Sequence, residues 1–196
     1  MAIEHEVKFL GIDHEKARKR LRALSASLVT PRRLMKRRTF DYPDRRLNLI
    51  KSWIRLRDEG TQVTLTHKKL RGQTATADEV SIVVDGFERA TLFLTSIGLE
   101  LKSCQENWRE VWSYGDALIS LDTWPWIPDL LELEGPNEDC LRRVAEVLEF
   151  DWADATLGPV GVAYSRYYCV SEEDVNEVKH IAFDLGPPWN RTSAFA

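Results

Sequence analysis

The chain has 196 residues, 43% hydrophobic and 30% charged, which excludes a disordered polymer and suits one soluble globular domain. No apolar run approaches the roughly 18 residues of a membrane span. The start, Met1-Ala2-Ile3-Glu4-His5-Glu6, carries acids where a signal peptide needs a basic and then an apolar stretch, so a cytoplasmic location is expected. Three cysteines, Cys104, Cys140 and Cys169, are widely spaced and odd in number, which argues for reduced thiols rather than disulfides or zinc.

The chain opens with a period-two segment, Ile3 to Phe9, in which Glu4, Glu6 and Lys8 share one face and Ile3, Val7 and Phe9 the other. A helix follows from Asp13 as N-cap to about Ser25, with Ala17, Leu21 and Leu24 on its apolar stripe. Strands are expected near Leu34–Asp41, Trp53–Asp58, Gln62–Lys69 and Glu79–Val84, with Asp58-Glu59-Gly60-Thr61 as a hairpin turn. Phe87 to Ile97 reads as a helix ended by Gly98. Three more strands, Trp108–Tyr114, Ala117–Asp122 and Leu130–Glu134, precede a helix from Glu138 to Phe150. A last helix starts near Ser171, where Ser171 and Asp174 have capping-box spacing. The pattern is α+β with a large antiparallel sheet, which at about eight strands tends to close. Residues 1–183 read as a single domain and 184–196 as a loose tail.

Charge is unevenly spread. Residues 31–71 carry thirteen Lys or Arg against four acids, and residues 104–154 carry thirteen acids against three bases. Arg55 and Arg57 share a strand face, roughly 6–7 Å apart, and two guanidiniums so placed repel unless an anion lies between them. Arginine suits phosphate because its planar fork binds oxygens bidentately. Thr64, Thr66 and Lys68 share a face across the hairpin, so Lys68 can join the pair. Glu132-Leu133-Glu134 repeats the alternating carboxylates of the N-terminus, and Asp122 stands near. Like charges this close destabilise a sheet unless a cation neutralises them, and carboxylate oxygens are what hard divalent ions prefer.

Glu4-x-Glu6-x-Lys8, Arg55-x-Arg57, Thr66-x-Lys68, a lone Arg109, Asp122 and Glu132-x-Glu134 occur in the order seen in CYTH proteins. The chain therefore resembles this family, also called triphosphate tunnel metalloenzymes, over about residues 2–150. The resemblance implies an eight-stranded antiparallel β-barrel with flanking helices and a hydrophilic bore. It implies Mg²⁺ or Mn²⁺ held by Glu4, Glu6, Asp122, Glu132 and Glu134, and a triphosphate gripped by Lys8, Arg55, Arg57, Lys68 and Arg109. Arg38 and Glu79 are expected as further tunnel residues. Three features depart from the family: Asn107 where a cation is often found, Ser81 where a second acid often follows Glu79, and a stiff Trp124-Pro125-Trp126 loop after Asp122.

The expected function is metal-dependent hydrolysis of a triphosphate (inorganic tripolyphosphate, thiamine triphosphate or a nucleoside triphosphate) releasing orthophosphate, with Glu4, Glu6 and Lys8 at the chemistry. A cyclase making cyclic AMP and pyrophosphate is the first alternative, with Trp124 or Trp126 stacking on a base. A non-catalytic polyphosphate- or nucleotide-binding module is the second, and the acidic set argues against it. The partner is a small-molecule triphosphate, and a homodimer is left open. A membrane partner is not expected, nor a nucleic acid, since the arginines alternate inward rather than forming a surface stripe.

Overall fold

A computed structural model describes the backbone of residues 2–71 and 76–190. The elements run β1 (Ala2–Leu10), α1 (His14–Ala23), β2 (Ser27–Asp41), α2 (Arg46–Leu49), β3 (Ser52–Asp58), β4 (Val63–Leu70), β5 (Thr76–Val84), α3 (Phe87–Ser96), β6 (Glu100–Tyr114), β7 (Ala117–Thr123), β8 (Leu130–Gly135), α4 (Glu138–Val147), a 3-10 turn (Trp152–Asp154), α5 (Val160–Tyr168), α6 (Glu172–Asn176) and β9 (His180–Ile181).

The strand order is β2-β3-β4-β5-β1-β8-β7-β6-β9, and β2 also pairs with β6. That last pairing joins the two ends of the eight-strand order, so the antiparallel strands form the expected barrel. β9 is a short parallel addition to β6 at Cys104 and Gln105. β2 and β6 are longer than their apolar alternation suggests, because they pair with each other from Ser27↔Ser113 to Asp41↔Glu100. Register shifts flank Pro31, whose missing N–H makes a regular ladder untenable there.

The barrel is polar inside and apolar outside. On the outer wall Val7, Phe9, Ile119, Leu121, Leu131 and Leu133 are buried under Ala17 and Leu21 of α1 and Leu141, Val144 and Ala145 of α4. α1 forms where expected because the Asp13 carboxylate accepts from the amides of Glu15 and Lys16 at 2.9 and 3.1 Å. A second outer cluster joins Phe40 and Leu56 to Leu94 of α3 and to Leu99.

A third cluster sits at one end of the barrel. Trp124, Ile127 and Leu130 meet Ala163, Tyr164 and Tyr168 of α5, Val175 of α6 and Ile181 of β9. α5 was not expected. Its sequence has no polar N-cap and contains Gly161 and two valines, so intrinsic propensity is poor and aromatic packing decides its conformation. α6 has the expected capping box between Ser171 and Asp174. Of the stretch expected to be loose from residue 184, residues 184–190 are described, and two of them touch this cluster. Trp126 Nε1 donates to Leu185 O at 2.6 Å, and the Trp189 ring lies 5.4 Å from that of Tyr168. Residues 191–196 lie outside the described residues. Among the described residues no helix is long and apolar enough to cross a membrane.

Candidate functional site: a charged tunnel through the barrel

Strand alternation sets the inner face. Glu6 stands opposite Glu134, and Lys8 opposite Glu132, in the β1–β8 register. Their side chains share the inner wall with Arg37, Arg55, Arg57, Lys68, Glu79 and Arg109 around a cavity of about 700 Å³. Eight strands usually leave an interior that side chains just fill or that holds one small ligand. The second outcome holds here, since the inner side chains are long and charged.

One part of the wall is a net of alternating signs. Lys8 Nζ lies 2.9 Å from Glu6 Oε1 and 3.1 Å from Glu132 Oε2, and donates to Gly158 O at 2.8 Å. Gly158 has φ +97°, a conformation that favours glycine, at the turn that brings this carbonyl to Lys8. Lys68 Nζ lies 3.0 Å from Glu6 Oε2 and 3.8 Å from Glu79. Arg109 Nε donates to Asp122 Oδ1 at 2.7 Å, and Nη2 lies 3.0 Å from Glu132 Oε1.

The net sets the protonation of the acids. Burial alone would raise Glu132, but Lys8, Arg109 and Lys68 outweigh it and hold the carboxyl far below the usual range. Glu6 is lowered as well, burial being outweighed by Lys8 and Lys68. Glu134 is different: burial, Glu132 and Glu6 together raise it. It has no ion pair among the described residues, so it is the carboxylate most in need of a cation.

The opposite part of the wall is cationic. Arg37 Nη2 donates to the Asn107 side-chain oxygen in a short hydrogen bond, and its guanidinium lies 4.4 Å from the Trp124 ring centroid. Burial, and then the cations of Arg55, Arg57 and Arg109, pull Arg37 well below its usual value. Arg57 is pulled down to about 10 by burial, Arg55 and Arg109, despite its bond to Glu59. The buried Nε atoms of Arg37 and Arg55 have no hydrogen-bond partner among the described residues. Converging guanidiniums with orphaned donors are arranged for an anion.

The expected site residues divide as follows. Glu6, Lys8, Arg55, Arg57, Lys68, Arg109, Glu132, Glu134 and Glu79 line the cavity. Glu4 is in β1 with its backbone opposite Ala77, and its side chain lies outside the described residues. Asp122, expected among the metal ligands, is fully buried with one oxygen taken by Arg109 and Asn107 and the other by Arg109, so it serves first to orient Arg109. Arg38, expected in the tunnel, is outside it. Its guanidinium donates to Glu88 at 2.8 and 2.9 Å and to Thr91 at 2.8 Å, and lies over Phe87 of α3. The reason is parity: Phe40 is fully buried beneath α3, so Arg38, two residues earlier, faces out and Arg37 faces in. Phe40 was the signal that would have identified Arg37 from the sequence.

Trp124 is 3% exposed and set edge-on to Tyr164 at 6.4 Å, and Trp126 is bound to Leu185. Both rings pack against α5 and the segment after it rather than standing free to stack on a base. His14 and His67 make hydrogen bonds to Leu130 O and Ser52 Oγ, in keeping with structural roles.

Oxygen donors of Glu6, Glu132 and Glu134, crowded enough to raise Glu134, fit a hard divalent ion in chemistry. Among the described residues no three acidic, histidine or cysteine side chains already converge as a cage, since Lys8 and Arg109 stand between the carboxylates.

A family model described as CYTH domain matches residues 2–151. No curated protein matches the chain. Among solved structures, a Vibrio parahaemolyticus protein described as a candidate adenylate cyclase is 18% identical, with a TM-score of 0.72, covering 84% of this chain and 98% of that one. The Pyrococcus horikoshii protein PH1012 is 18% identical, with a TM-score of 0.67, covering 78% and 94%. A Hippeastrum protein described as a candidate adenylyl cyclase with dominant triphosphatase activity is 14% identical, with a TM-score of 0.52, covering 74% and 85%. At these identities the likeness is one of fold.

Proposed function

Residues 2–151 make this chain a member of the CYTH domain family, and on that footing we propose that it is a divalent-metal-dependent triphosphatase that releases orthophosphate from a small-molecule triphosphate. The observation that carries this reading is the convergence of Arg37, Arg55 and Arg57 on one wall, opposite carboxylates among which Glu134 is raised by its like-charged neighbours.

Arg55, Arg57, Lys68 and Arg109 bind and straighten the phosphate chain. Their positive charge is fixed before the substrate arrives, so charge developing on the equatorial and leaving oxygens is stabilised without reorganisation. Lys8, held by Glu6, Glu132 and Gly158 O, keeps a cation among the carboxylates. Glu134, facing Glu6 in register and raised by its neighbours, orients the attacking water and takes its proton on a carboxylate oxygen. Glu6, Glu132 and Glu134, with Glu4 as expected from the sequence, are the residues that would hold Mg²⁺ or Mn²⁺. When bound, the ion screens phosphate charge and acidifies water.

The packing of Trp124 and Trp126 favours hydrolysis over cyclisation, because neither ring is left as a platform for a base. The test is turnover of inorganic tripolyphosphate and ATP with Mg²⁺ or Mn²⁺, resolving orthophosphate, pyrophosphate and cyclic AMP. Orthophosphate from tripolyphosphate, abolished by Glu6→Gln and by Arg57→Ala, is expected. Cyclic AMP with pyrophosphate would make the protein a cyclase, and metal-dependent binding without turnover a binding module.

A further inference from the structure

Arg37 is enclosed by groups that hold a guanidinium without neutralising it. It is 7% exposed, and its neighbours in charge are Arg55, Arg57 and Arg109, with Asp122 as the opposing carboxylate, both of whose oxygens Arg109 already holds. Such a side chain would normally recruit a carboxylate. Here its Nη2 is held by the amide oxygen of Asn107, whose own Nδ2 donates to Asp122 at 3.0 Å. Its face is covered by the Trp124 ring at 4.4 Å, and its Nε is left without a partner among the described residues. A carboxylate would satisfy Arg37 but repel a phosphate. An amide oxygen and an aromatic face hold the cation while leaving its charge for an incoming anion.

Trp124 is itself held by α5, at the end of the cavity that Tyr164 also lines. Tyr164, fully buried, packs edge-on against it at 6.4 Å and 88° and donates its hydroxyl to Pro125 O at 2.7 Å. Tyr168 donates to Trp126 O, also at 2.7 Å, where Trp126 sits at φ +69°, a region costly for a bulky residue. Both tyrosines belong to α5, beyond the residues 2–151 matched by the family model.

We propose that Arg37 is a phosphate-binding residue of the tunnel and that Trp124, braced by Tyr164 and Tyr168 of α5, is the positioning residue that holds it in binding geometry. This rests on the triphosphate reading above. It assigns α5 a part in ligand affinity that runs through Trp124 and Arg37, by preorganising one cation.

Calorimetric titration of the full chain with inorganic tripolyphosphate, with and without Mg²⁺, tests it. Arg37→Ala and Trp124→Leu are each expected to weaken binding about tenfold, the equivalent of about 1.4 kcal/mol, and Trp124→Phe to restore most of it. In an Arg37→Ala background, Trp124→Leu is expected to cost nothing further, which a general structural defect would not reproduce. Should Trp124→Leu not fold, Tyr164→Phe, which removes one hydroxyl, carries the same comparison. Unchanged affinity in Trp124→Leu, or an equal loss with and without Arg37, overturns the inference while binding that Arg57→Ala abolishes leaves the functional reading standing. Absence of tripolyphosphate binding by the wild-type chain overturns both.

Discussion

Arg37 and Arg38 are consecutive in β2, yet their guanidiniums end on opposite sides of the barrel wall, one over Trp124 in the tunnel and the other over Phe87 of α3. Arg38→Ala is therefore expected to leave tripolyphosphate binding at the wild-type level. Its bonds to Glu88 and Thr91 are partly exposed, so the cost in stability should be modest, about 0.2–1 kcal/mol. Parallel calorimetry and chemical denaturation check both halves, and a loss of affinity beyond threefold would return Arg38 to the site.

Arg55 has no hydrogen bond or ion pair among the described residues, and Arg37 and Arg57 stand beside it. Arg55→Ala removes a repulsive cation from the ligand-free protein and an attractive one from the complex. Affinity for tripolyphosphate should drop by about 2–5 kcal/mol, while the melting temperature without ligand stays level or rises. A variant that loses stability and affinity together would show Arg55 to be a packing residue.

Glu134 faces Glu6 and neighbours Glu132, and this crowding raises it. Millimolar Mg²⁺ or Mn²⁺ should raise the melting temperature of the wild type, since an ion at a hundred times its dissociation constant contributes about 2.7 kcal/mol. Glu134→Gln should lose most of that response. In metal-free buffer the same variant should melt no lower than wild type, because a like charge worth about 0.2–1 kcal/mol has gone. Differential scanning fluorimetry with and without a chelator reads both effects.

Glu110 lies on the outer wall, where it accepts from Arg18 Nε at 3.1 and 3.2 Å and from Trp112 Nε1 at 2.6 Å. Burial alone would raise its carboxyl, but the Arg18 and Trp112 hydrogen bonds bring it below the usual value. A carboxylate lowered on folding contributes stability that is present above its unfolded value, about 4.3, and is lost as pH falls through the folded value. Glu110→Gln should thus destabilise the protein at pH 7 by about 1–3 kcal/mol. The gap should narrow below pH ~4.3, as measured by denaturant midpoints across that range, and a constant gap would place the loss in packing instead.

By itself the sequence determined the wall of this barrel. Side chains alternate with period two along a strand, so Glu6 and Lys8, Arg55 and Arg57, and Glu132 and Glu134 had to share faces wherever their strands lay. The apolar residues next to them, Val7, Ile54, Leu56 and Leu133, had to face the other way. What alternation could not supply was the relation between strands and the part played by residues with no local signal. Asp122 binds Arg109 because β6 and β7 place them in register. Arg37 rather than Arg38 enters the tunnel because Phe40 is buried under α3. α5 exists because Tyr164 and Tyr168 find the carbonyls of Pro125 and Trp126, roughly forty residues away in sequence. Those contacts are long-range, their energy comes from burial and hydrogen bonds completed only in the closed fold, and only the tertiary structure could decide them.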